Sequence, residues 1–80
     1  MSENNDSAPK TDIEMAFAAL RLAVREQTQA VRCVALALLY NDMKDNAKAT
    51  AQLEEATRRL VEADNWADNS AIIAARIHAK

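Results

Sequence analysis

An apolar seam runs through the first half of this chain. Ile13, Phe17, Leu20, Val24, Gln27, Val31, Val34 and Leu38 follow one another at alternating intervals of four and three residues, with Gln27 as the polar member. An apolar repeat averaging 3.5 residues marks the face of an α-helix that packs lengthwise against another helix. The first half is therefore expected to be one long helix whose seam has to be covered. A second row accompanies the seam: Ala16, Ala23, Ala30 and Ala37 recur every seven residues. Small side chains in a row let a neighbouring helix approach closely. Seam and alanine row together lead us to expect a two-fold homodimer, with Ile13, Phe17, Leu20, Val24, Gln27, Val31, Val34, Leu38, Ala16, Ala23 and Ala30 in the interface.

The helix has a clear start. In the run T-D-I-E the Thr11 hydroxyl can accept from the backbone N–H of Glu14 while the Glu14 side chain reaches back, which is a capping box. The periodicity continues to about residue 42, where Asn41, Asp42, Asp45 and Asn46 cluster as a turn. A second helix is expected over about 47–63, with Ala49, Leu53, Ala56, Leu60 and Ala63 on one face and a solvated face carrying Glu54 with Arg58 and Glu55 with Arg59. Asp64, Asn65, Asp68 and Asn69 offer several caps, so a short third helix is expected over about 66–79, with Trp66 anchoring the corner. The expected fold is thus all-α: one long helix over 12–42, an antiparallel second helix and a short C-terminal one, assembled as a homo-oligomer. Residues 1–10 mix small, polar and acidic residues with the only proline and are expected to be a disordered tail, which leaves 11–80 as a single helical domain.

The distribution of bulk supports assembly. Twelve large apolar side chains lie between Ile13 and Tyr40, against seven after Asp45. From residue 31 to 40 the first helix is apolar nearly all round, the mark of a helix packed on several sides.

Composition excludes several functions. The chain has no glycine, so neither a dinucleotide fingerprint nor a phosphate loop can be written. One His and one Cys cannot build a zinc site; Cys33 lies among apolar neighbours and His78 near a helix end, where the dipole favours a cation. Ser2, Ser7 and Ser70 fall in the tail or at a cap, and no residue combination suggests catalysis or a cofactor. A lone cysteine, the absence of a leader-like run and the lack of any span of membrane length lead to an expectation of a cytoplasmic protein. A net charge of -2 argues against a nucleic-acid partner.

One polar arrangement stands out. Arg21, Arg25, Thr28 and Arg32 form a basic line on the first helix, suited to an anion or to an acidic protein surface; the plain alternative is that these arginines are solvated or meet Glu54, Glu55 or Glu62. The functional expectation is a small non-enzymatic helical protein that binds and modulates another protein as a homodimer. Its physical profile is shared with antagonists made by phages and mobile elements. Two other readings compete. One is a small-ligand or nucleotide binder using the Arg line; the other is a helix-turn-helix DNA-binding regulator, which the acidic second helix disfavours.

Overall fold

A computed structural model describes residues 11–79. The expected tail over 1–10 lies outside the described residues. Two helices account for nearly everything else: α1 (Asp12–Asp42) and α2 (Asn46–Ala79), packed against each other as an antiparallel hairpin.

The start of α1 follows from its capping box. The Thr11 hydroxyl accepts from the Glu14 N–H at 3.2 Å, and the Glu14 carboxylate accepts from the Thr11 N–H at 3.0 Å. Asp12 and Glu14 place negative charge in the first turn, where the helix dipole favours it. The end of α1 is a Schellman motif. The Asp45 N–H reaches the Tyr40 carbonyl at 2.9 Å and the Lys44 N–H reaches the Asn41 carbonyl at 3.0 Å. The left-handed residue that such a cap requires is Lys44, with φ of 63°. With no glycine in the chain a lysine carries the positive φ, and Asn41, three residues earlier, contributes its backbone carbonyl as an acceptor. Asp45 then opens α2 directly, its carboxylate accepting from the Lys48 N–H at 3.2 Å.

The expected break after residue 63 is absent. α2 runs unbroken from Asn46 to Ala79, so the second and third expected helices are one. Asp64, Asn65, Asp68 and Asn69 are poor helix formers, but each costs under about 1 kcal/mol relative to alanine, and neither glycine nor proline intervenes. What carries the helix through is tertiary. Ala49, Ala56, Ala63 and Ser70 recur every seven residues, all four are buried, and their row crosses the expected break without a change of phase. Trp66 accordingly lies within a helix rather than at a corner, half-buried in the row that also contains Gln52, Arg59 and Ile73.

The hairpin closes on small side chains. In α1 the buried residues are Ala19, Ala23, Ala30 and Ala37; with the α2 row they form an interior in which no large side chain is fully buried. Two polar contacts set the alignment of the helices. The Ser70 hydroxyl donates to the Ala16 carbonyl across the interface at 3.1 Å. Arg59 donates to Glu26 on α1 at 3.0 Å and to Glu55 on its own helix at 2.9 Å. Ser70 is thus an interface residue rather than a cap.

Candidate interaction surface

The alanine row was expected to receive a second copy. The structure gives it to α2 instead: Ala23 and Ala30 are 6% and 2% exposed within one chain, and Ala16 is half-buried under the Ser70 contact. The physical reason is proximity. A Schellman turn returns the chain at once, and the closest approach α2 can make is over the row with the least bulk.

Each residue of the large seam follows its α2-facing neighbour by one position, which turns it about 100° round the helix. The seam therefore flanks the hairpin contact without entering it. Phe17 is 62% exposed, Val31 69% and Leu38 63%, while Ile13, Leu20, Val24 and Val34 are also exposed. Gln27 is exposed among them. On α2 the residues that follow the buried rows by one position turn to the same side, because the helices are antiparallel. Leu53 and Leu60, both about half exposed, are in this set. An open groove of about 370 Å³ shows the continuity, since it is lined by Val31, Val34, Ala35 and Leu38 of α1 with Leu60 of α2, and has Ala30 at its floor.

The opposite face of the hairpin is mixed: Leu22 and Leu36, one position before Ala23 and Ala37, are exposed on the α1 side, 37% and 40%, while the α2 side is charged. Glu26, Glu55, Arg58, Arg59 and Glu62 line a shallow depression there, and Arg58 pairs with Glu55. The expected partner of Arg58, Glu54, is not the one it takes.

Arg21, Arg25, Thr28 and Arg32 do form one edge. Each lies two residues beyond a residue that faces α2, namely Ala19, Ala23, Glu26 and Ala30, hence about 200° round α1. All four are exposed, and the three arginines make no ion pair with any described residue, which removes Glu54, Glu55 and Glu62 as their partners. The Thr28 hydroxyl is spent within the helix, donating to the Val24 carbonyl at 3.0 Å. Arg21 also adjoins the apolar seam, sharing a shallow recess with Phe17, Leu20 and Val24. A planar guanidinium beside apolar surface is suited to a carboxylate carried on a protein partner.

Among the described residues no group of His, Cys, Asp and Glu is placed to hold a metal ion. Cys33 is half-buried as a free thiol, and His78 stands with Arg76 in the last turn of α2, where cations complement the helix dipole. Among the described residues no helix is long and apolar enough to cross a membrane. The chain matches no family model, no characterised protein and no solved structure.

Proposed function

We propose that this chain is a non-enzymatic helical interaction protein that works as a homodimer and binds another protein, modulating it by occupying its surface. One observation carries the reading: the hairpin buries its alanines and leaves the large seam of α1 outside, with Leu53 and Leu60 continuing it. Globular domains bury their large side chains between two layers. This hairpin is a single layer, with a smallest dimension of 13 Å. Nine large apolar side chains, each roughly half exposed, lie together on one side, a contiguous apolar surface of the kind that marks a protein interaction site. A second hairpin supplies the missing layer.

Dimerisation through the seam leaves the Arg21, Arg25 and Arg32 edge open. Three exposed guanidinium groups with no ion pair among the described residues favour an acidic protein surface as the modulated target. The same edge favours a second reading, capture of a small anion such as a nucleotide. Sedimentation equilibrium tests assembly, with a folded 8.8 kDa species at micromolar concentration as the result against it. Pull-down from the native host with wild type and with Arg21→Glu/Arg25→Glu tests the target. The reading requires a protein recovered by the wild type and lost with the double variant. A nucleotide-induced thermal shift that vanishes in the double variant, with no protein recovered, would favour the second reading.

A further inference from the structure

We infer that the two hairpins of the dimer stack face to face with their α1 helices antiparallel, Ile13 of one copy against Leu38 of the other and the turns at opposite ends of the assembly. The inference rests on the proposed homodimer and specifies its geometry.

Three two-fold arrangements can place one apolar face against another. The first sets α1 on α1 in parallel, about an axis along the helices. It covers the seam, but it sends the two α2 helices to opposite sides, so Leu53 and Leu60 stay in water. The groove that Leu60 shares with Val31, Val34 and Leu38 argues against it, because the apolar face to be covered spans both helices. The second keeps the axis along the helices but sets α1 on α2 of the other copy. Both helices are then covered. However, the exposed α2 flank that would meet the seam reads Leu53, Thr57, Leu60, Asp64, Ala67, and Asp64 would be driven among valines and leucines. A carboxylate placed there is costly unless it is paired.

The third arrangement has its axis across the helices. It stacks α1 on α1 and α2 on α2, both antiparallel, and covers the whole face. The seam is self-complementary in this alignment: Ile13 meets Leu38, Phe17 meets Val34, Leu20 meets Val31, and Val24 meets Gln27 of the second copy, so no seam position is left unpaired. Large side chains gather in the α1 layer. Asp64 falls in the α2 layer among threonine and alanine, where water has access. Gln27 lies beside the axis, so its amide and that of the second copy come within reach of each other across Val24. The arrangement has a functional consequence, since the edges bearing Arg21, Arg25 and Arg32 from both copies end on the same side of the dimer. An acidic partner thus meets two basic rows together.

The test is a distance. In a Cys33→Ala background a spin label at Met43→Cys, in the exposed turn, is expected to lie on the order of 50 Å from its counterpart when the turns are at opposite ends. Both arrangements with the axis along the helices bring the turns together, to under about 30 Å. A second label at Ala75→Cys, exposed near the end of α2, reads the opposite end of the hairpin and is expected at about 40 Å. Long distances at both sites support the inference. A dimer with short distances overturns the antiparallel stacking and leaves the homodimer standing. A folded monomer of the unlabelled wild-type chain overturns the homodimer itself and the inference with it.

Discussion

Lys44 holds the left-handed position of the turn between the helices, at a φ that costs an L-residue roughly 1 to 2 kcal/mol. It persists because the two Schellman hydrogen bonds and the Asp45 cap of α2 leave the chain no other route. Lys48 adds a cation over the Tyr40 ring, with its ammonium 5.6 Å from the centroid, while also lying 3.8 Å from the Asp45 carboxylate. Glycine adopts the same φ without the Cβ penalty but loses more chain entropy on folding. The net expectation for Lys44→Gly is a gain of about 0.5 to 1 kcal/mol in urea unfolding, with unchanged helicity by circular dichroism. Lys44→Val, which brings a β-branched side chain to the same φ, is expected to lower stability by about 1 kcal/mol or more. Equal stability for the two variants would show that the turn does not hold the left-handed residue at position 44.

At the level of the elements, the beginning and end of α1 were legible because local chemistry decides them: a capping box at Thr11 and Glu14, and a cluster of Asn and Asp at the turn. The continuity of α2 was not. Asp64, Asn65, Asp68 and Asn69 carry a local preference for caps, and only the heptad of Ala49, Ala56, Ala63 and Ser70, which binds a distant segment, overrides it. The two readings predict opposite signs for one experiment. In a continuous helix Asn65→Ala and Asp68→Ala each raise stability by about 0.5 kcal/mol, because both side chains are exposed and an alanine propagates the helix better. At a true helix start the same changes remove a cap and cost about 1 kcal/mol. The alanine row of α1 was visible too, but not whose helix it receives. Two rows, one small and one large, run side by side, and periodicity alone does not say which is covered within the chain. Burial of Ala23 and Ala30 under α2 settles that. Ala23→Leu and Ala30→Leu are therefore expected to part the helices of each hairpin and lower the melting temperature, a loss of roughly 1 to 3 kcal/mol from overpacking, whatever the state of assembly.

For the whole molecule, an interior of alanines can bring two helices close but supplies little apolar area per residue, so the hairpin has a defined shape and a thin margin of stability. The seam holds the reserve. If a second copy covers it, folding and association are one equilibrium, and the wild-type melting temperature rises with protein concentration. Val31→Glu separates the contributions. Val31 is 69% exposed in a single chain, so a glutamate there disturbs nothing inside the hairpin, yet in a dimer it lands among the seam residues of the other copy. It is expected to weaken association at least about 100-fold, the scale of an unpaired charge forced into an apolar interface, and to abolish the concentration dependence of melting. Arg25→Glu is the matched control. It also adds a carboxylate to α1, but on the edge away from α2, and is expected to leave the sedimentation profile unchanged while reducing recovery of an acidic partner. A Val31→Glu protein that sediments and melts as the wild type does would mean that the seam is open to water in the working state, and that its occupant is a partner other than this chain.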